Sequence, residues 1–208
     1  MRHPVKAVHF QLTGRCNLAC SFCGQNKGML GTGREELPVG FWLRCAEETE
    51  PDAPVTFWGG EPLLYPGFEE LAERLSASRH PLEIVTNGTL AGRHAGTLCR
   101  RFRRIFISVD GPRELHDAVR GKGVFDRVRA SLEKLRERRG RLVFLTTVSD
   151  ANVERMPELP ELLAPLGPDE IILQQLMYLT GAEIAAYRNY SRTHFGCCLL
   201  YTSDAADE

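Results

Sequence analysis

Short runs of β-branched and aromatic residues recur along the chain and predict six strands: Val8 to Thr13, Pro54 to Trp58, Leu82 to Thr86, Arg104 to Val109, Arg141 to Val148 and Glu170 to Leu176. Several of them, IFISV and LVFLTTV among them, are apolar with little strict alternation, which suits parallel strands covered on both faces. The segments between them change period. Phe68, Leu71, Ala72 and Leu75 share one helical face, and so do Phe125, Val128, Leu132 and Leu135. Strand and helix therefore alternate with short connections, which forces right-handed crossovers. The expected fold is α/β, a partial (β/α)6 TIM-like barrel with parallel strands; a full eight-unit barrel typically needs about 250 residues. A doubly wound sheet is the alternative.

At 208 residues, 43% of them hydrophobic, the chain supports one sizeable core. Its 26 Lys and Arg nearly cancel its 27 Asp and Glu, so no overall basic field draws nucleic acid or an anionic membrane. Two arginine groups, Arg100, Arg101, Arg103 and Arg104, then Arg136, Arg138, Arg139 and Arg141, fall where a helix ends and a strand begins. Cations there complement the negative end of a helix, so no nucleic-acid partner is expected. No apolar run approaches the roughly 20 residues of a membrane span. Met1 to Lys6 lacks the apolar stretch of a signal peptide, and the expected location is the cytoplasm.

The last eleven residues, CLLYTSDAADE, resemble an in-frame translation of a sequencing adapter. The expected organisation is thus a core domain over residues 1–197, incomplete at its C-terminus, and a non-native tail over 198–208. Cys197 and Cys198 then carry no functional weight. Of the seven cysteines, Cys45 and Cys99 fall on apolar helix faces, where cysteine behaves as a small hydrophobe.

Cys16, Cys20 and Cys23 are different: they follow the first predicted strand with CxxxCxxC spacing, unlike a disulfide framework. A closed zinc site wants four protein ligands, and no fourth Cys or His lies at a zinc-like spacing. Iron-sulfur clusters also usually take four cysteines, so three leave one iron open to a ligand. The spacing alone leaves both metals in play. The glycine-rich loop from Gly24 to Glu36 lacks the GxGxxG order of a dinucleotide site and reads as a mobile loop beside the metal.

Four motifs stand at the ends of successive predicted strands: CNLACSFC, WGGEPLL, VTNGTL and ISVDGPRELHDAVRGKGVF. Together, over residues 8 to about 180, they resemble the radical S-adenosylmethionine (radical SAM) enzymes. The resemblance implies a [4Fe-4S] cluster on Cys16, Cys20 and Cys23, with S-adenosyl-L-methionine at the open iron. It implies that Gly59, Gly60, Glu61 and Pro62 bind the methionine amino group, that Phe22 lies beside the adenine, and that Ser108 and Arg120 serve the carboxylate or ribose. Asn87 is either a further cofactor contact or, with Gly88, a tight turn.

The residue chemistry agrees in kind. Glycines let backbone approach a ligand, Glu61 offers a carboxylate to a cation, and Arg120 offers a bidentate fork. His116 and Asp117 read as ordering their segment. No catalytic side chain is assignable. The implied reaction is reductive cleavage of S-adenosylmethionine to a 5′-deoxyadenosyl radical, which abstracts hydrogen from a substrate. The branch resembled is the peptide-modifying one, often extended by a cysteine-rich SPASM segment, so the substrate class it favours is a peptide or protein. An electron donor such as flavodoxin or ferredoxin would complete the system. The alternative is a non-catalytic iron-sulfur or zinc protein.

Overall fold

Six strands are joined by six α-helices in the computed structural model, which describes residues 5–23, 35–50, 52–175 and 182. The strands are β1 (Val8–Thr13), β2 (Val55–Gly59), β3 (Leu82–Thr86), β4 (Phe102–Ser108), β5 (Arg141–Val148) and β6 (Glu170–Gln175). The helices are α1 (Val39–Glu47), α2 (Phe68–Ala77), α3 (Ala95–Arg101), α4 (Arg113–Arg120), α5 (Val124–Lys134) and α6 (Leu159–Leu163). Met1–Gln175 forms one compact unit, and Leu176–Glu208 a second that is outside the described residues apart from residue 182. The tail expected from residue 198 therefore lies outside them too.

Every neighbouring strand pair is parallel, and the sheet order is β1-β2-β3-β4-β5-β6. That order decides between the two folds. A doubly wound sheet reverses its order partway and covers both faces with helices. A sequential order with right-handed crossovers keeps all helices on one face and curls the sheet toward a barrel. The fold is the partial barrel.

One expectation is overturned, that both strand faces would be covered alike. Phe10, Phe57, Ile84, Ile105 and Leu142 lie side by side in register and are buried beneath the helices with Phe68, Leu71, Leu75 and Leu98. The next residues along carry the opposite face, and many are polar: His9, Thr56, Glu83 and Arg104 form one row, with Trp58 41% exposed nearby. The strands alternate after all. The inner face is held by polar pairing, with Thr56 donating to Glu83 and Arg104 bonding both carboxylate oxygens of Glu170 at 3.2 and 3.4 Å.

The α2 stripe of Phe68, Leu71, Ala72 and Leu75 is fully buried. On α5 the buried stripe is Val124, Val128, Leu132 and Leu135, so Phe125 drops out of the predicted set. The helix starts from Gly123 at φ 76°, which turns Phe125 aside to lie edge-on to His116, ring centroids 5.8 Å apart. The arginine groups serve local structure: Arg101 bonds Ser76 and Glu73, and Arg138 bonds Gly167 and Asp169. Cys45 and Cys99 pack half-buried against the core. Among the described residues, no helix is long and apolar enough to cross a membrane.

The turn joining α4 to α5 is closed by Asp117, whose carboxylate accepts from the Gly123 and Phe125 amides at 2.7 and 2.8 Å. His116 and Asp117 do order this segment. Asp117→Ala leaves two amides at a helix start without that acceptor and is expected to cost about 1–2 kcal/mol. Urea unfolding measures it; a midpoint equal to wild type would show that water replaces the carboxylate. The exposed pair Arg113–Asp126 is a contrast, because Arg113→Ala is expected to move the urea midpoint much less than Asp117→Ala in the same assay.

Candidate active site

The four motifs occupy the C-terminal ends of β1 to β4, the end at which barrels of this kind build their sites. After β1 the chain turns into the cysteine loop, which backbone after β2 clamps. The Gly60 amide donates to the Thr13 carbonyl at 2.9 Å, and the Glu61 amide to the Arg15 carbonyl at 2.8 Å. This approach explains the paired glycines. Gly59 adopts φ 139°, and a Cβ on Gly60 would lie 2.2 Å from the Arg15 carbonyl oxygen. Further along, the Ser21 amide donates to the Val119 carbonyl on α4, and the Cys23 amide to the Cys20 carbonyl.

Glu61 does something other than offer an open carboxylate. It is fully buried; Oε1 accepts from Thr86 at 2.7 Å and from the Leu63 amide at 3.1 Å, and Oε2 accepts from the Asn87 amide at 2.8 Å. Its carboxyl ties the turn after β2 to the turn after β3. Burial pushes its pKa up, and the bonds from Thr86, Asn87 and Leu63 pull against that shift. Pro62 opens the short 3₁₀ turn Pro62–Leu64, so its contribution is to the shape of this backbone.

Asn87 stands between that carboxyl and the metal candidates. Its Nδ2 lies 3.9 Å from Cys16 Sγ and 2.9 Å from Asn17 Oδ1, while its Oδ1 accepts from Thr89. Gly88 beside it has φ 79°, so the Asn87–Gly88 pair makes the tight turn.

Arg120 ends α4 and is 7% exposed. The sequence offers its fork to a cofactor carboxylate; in the structure the fork holds Asp110, with Nε 2.5 Å and Nη2 3.2 Å from the two oxygens. The remaining Nη1 lies 3.9 Å from Cys20 Sγ, and the guanidinium stands 5.5 Å from the Phe22 ring centre. Ser108 stands half-buried at the end of β4, paired with Leu145 of β5 through backbone, and its hydroxyl has no hydrogen-bond partner among the described residues. Burial pushes the Cys16 and Cys20 thiols up; the Leu18 backbone and Asn87 pull Cys16 back, and the Arg120 charge pulls Cys20 back.

The structure thus gathers Cys16 with Asn87 and Glu61, and Cys20 with Arg120 and Phe22. Asp110, Thr86, Asn17 and Asn152 join them without having been singled out as site residues. Asp110 stands in SVDGP and Thr86 in VTNG, at strand ends where position alone is a signal. Asn152 has none: it reaches back from the loop after β5 to the Asp110 and Thr147 carbonyls at 2.9 and 2.8 Å.

The sequence matches the radical SAM superfamily over residues 10–163, and the chain belongs to that superfamily. It is 30% identical over 184 residues to the pre-heme d1 synthase of Dinoroseobacter shibae, covering 84% of this chain and 44% of that one. It is 30% identical over 162 residues to the sporulation killing factor maturation protein SkfB of Bacillus subtilis, covering 76% and 39%. The chain spans less than half the length of both relatives. Its fold matches native anSMEcpe with bound AdoMet and Cp18Cys peptide at a TM-score of 0.71 and 20% identity, over 93% of this chain and 59% of that one.

Radical SAM enzymes use a [4Fe-4S] cluster and S-adenosylmethionine, and the cysteine loop fits the cluster. Three cysteines share one loop, and two of their sulfurs already face side-chain N–H groups, from Asn87 and Arg120, of the kind that stabilises cluster sulfur.

Proposed function

We propose that this chain is the catalytic core of a radical SAM enzyme, with Cys16, Cys20 and Cys23 holding the cluster and the ends of β2 to β4 holding S-adenosylmethionine. The observation that carries the reading is the meeting of four motifs at one sheet end, Cys16 against Asn87 and Cys20 against Arg120. Held by Cys16, Cys20 and Cys23, a cluster would supply the one electron that breaks the sulfonium–C5′ bond of S-adenosylmethionine, releasing methionine and a 5′-deoxyadenosyl radical able to take hydrogen from the substrate.

The protein's own part is positioning. The carbonyls of Gly59 and Gly60 are the backbone groups for the methionine amino group, with Glu61 fixing the turn that carries them. The free Ser108 hydroxyl is the polar group on β4 for the carboxylate or ribose, and Arg120 Nη1 supplies charge beside Cys20. Phe22, half-buried, packs against the adenine. By the same reading the donor is a flavodoxin or ferredoxin, the location is cytoplasmic, and the core runs over residues 1–197. A peptide substrate is favoured by the SVDGP and HDAVRG segments, by the likeness to SkfB and by the peptide in the anSMEcpe structure.

Anaerobic cluster reconstitution tests this, followed by dithionite and S-adenosylmethionine, with 5′-deoxyadenosine measured against Cys20→Ala. Wild type is expected to form it and the variant to fall by at least about a hundredfold, to background. Equal yields overturn the reading. A reducible cluster that leaves S-adenosylmethionine intact favours the electron-carrier alternative.

A further inference from the structure

Asp110, to which no cofactor contact is assigned above, makes a buried ion pair with Arg120. Asp110 is fully buried, and three elements fix it in place. Its Oδ1 accepts from the Thr147 amide at 2.9 Å, its carbonyl accepts from Asn152 at 2.9 Å, and its amide donates to His116 Nδ1 at 3.3 Å. Arg120 spends Nε and Nη2 on this carboxylate, so its plane is set. Only Nη1 is left over, and it points at Cys20 Sγ from 3.9 Å. Phe22 stands against the guanidinium and limits its access to water. A lysine has one nitrogen and cannot hold the carboxylate by two bonds while meeting the sulfur.

We propose that the Asp110–Arg120 pair sets the reduction potential of the cluster on Cys20, Arg120 favouring the reduced state and Asp110 limiting that preference. The inference rests on the function proposed above. Reduction adds one negative charge to the cluster. A buried cation hydrogen-bonded to a ligating sulfur stabilises that charge, and a buried anion behind the cation offsets part of the gain. Both are positioning residues in this role, because they act through Cys20. The sequence separation is large, with Arg120 meeting a cysteine 100 residues earlier, so the coupling is a product of the fold.

The two residues therefore have opposite signs of effect, which a packing role would not produce. Reconstituted 208-residue chain is titrated potentiometrically without S-adenosylmethionine, and the reduced cluster is read by electron paramagnetic resonance. Asp110→Asn, nearly isosteric, is expected to raise the reduced-to-oxidised ratio about tenfold at the wild-type midpoint, a shift of about +59 mV for one electron. Arg120→Gln is expected to lower it about tenfold, about −59 mV. Shifts of the same sign, or both below about twofold, overturn the proposal, since added water or loosened packing would move both alike.

Iron content and thermal unfolding of the metal-free variants accompany the titration. Where Asp110→Asn does not fold, Arg120→Lys against Arg120→Gln decides: both lose the fork and only Lys keeps the charge. Lys is then expected to hold the reduced ratio about tenfold above Gln, and equal ratios overturn the proposal. Wild-type chain that assembles no reducible cluster overturns the proposed function, and this inference with it. A normal wild-type cluster with same-sign shifts overturns the inference alone.

Discussion

Gly60→Ala is expected to destabilise the chain by about 3 kcal/mol or more and to abolish iron incorporation on reconstitution. Its Cβ would sit 2.2 Å from the Arg15 carbonyl oxygen, 2.6 Å from the Arg15 carbonyl carbon and 3.0 Å from the Gly14 oxygen. All three are backbone atoms, so no side chain can rotate out of the way. Relief requires the turn after β2 to part from the cysteine loop. That breaks the bond from the Glu61 amide to Arg15, one residue before Cys16, and drags Glu61 off Thr86 and Asn87.

The control is Gly123→Ala, where a Cβ meets nothing within 4 Å but φ is 76°. Conformational strain alone is expected to cost it about 1 kcal/mol and to leave iron binding intact. Urea unfolding and iron content of the two variants separate strain from collision. Full iron loading in Gly60→Ala would show that the clamp does not shape the cysteine loop.

Those two glycines also mark how far the sequence could be read. WGGEP announced a close backbone approach, because paired glycines before a carboxylate have few other uses, but it did not say what was approached. Here it is the protein's own Thr13 and Arg15 carbonyls. The six strands were legible because each is a short β-branched and aromatic run bounded by turn residues, and five of the six start within a residue of where the pattern puts them. β4 starts two residues early, at Phe102, since nothing in FRRIFIS separates helix end from strand start.

The polar inner face was not legible in IFISV or LVFLTTV. Phe106 and Val143 are apolar residues on that face, so hydropathy alone hides the alternation that burial and register reveal. Partners were harder still. A motif identifies a carboxylate or a guanidinium by type, but which charge meets which is fixed by topology. Glu61 reads as a ligand for a cation, and in the fold its carboxylate accepts from three donors, the Leu63 amide of its own turn and the Thr86 hydroxyl and Asn87 amide of the turn after β3. Arg120 reads as a fork for a cofactor, and Asp110, ten residues earlier and just past the end of β4, already fills it. Asn152 has no local pattern to betray it, because its value lies in bridging β4 and β5 ends that only the sheet brings together.

His116 extends the same reasoning to pH. It is fully buried beneath Phe125, its Nδ1 accepts from the Asp110 amide, and its Nε2 has no partner among the described residues. An accepting Nδ1 requires the neutral ring with its hydrogen on Nε2, and that N–H is left without an acceptor among the described residues. Protonation would place a second hydrogen on Nδ1, directly against the Asp110 N–H. Burial first, then the Arg120 charge, lower the His116 pKa from 6.5 to about 4.

In the unfolded chain the ring takes up its proton near 6.5, so between about 4 and 6.5 the unfolded state binds more protons than the folded one. Stability from this group is therefore complete above about 6.5 and is lost as pH falls toward 4. A shift of that size corresponds to about 3 kcal/mol. Glu61, with its pKa raised, slopes the other way and is common to wild type and variant, so the comparison cancels it.

The expected result is that metal-free wild type loses about 3 kcal/mol more than His116→Asn between pH 7 and pH 4, measured by urea unfolding across that range. Asparagine keeps an acceptor for the Asp110 amide and does not titrate. Parallel stability curves would mean the ring charges in place at little cost. The consequence would reach the site, because a cation at His116 lies beside the Asp110–Arg120 pair and would weaken the hold of that carboxylate on the guanidinium facing Cys20.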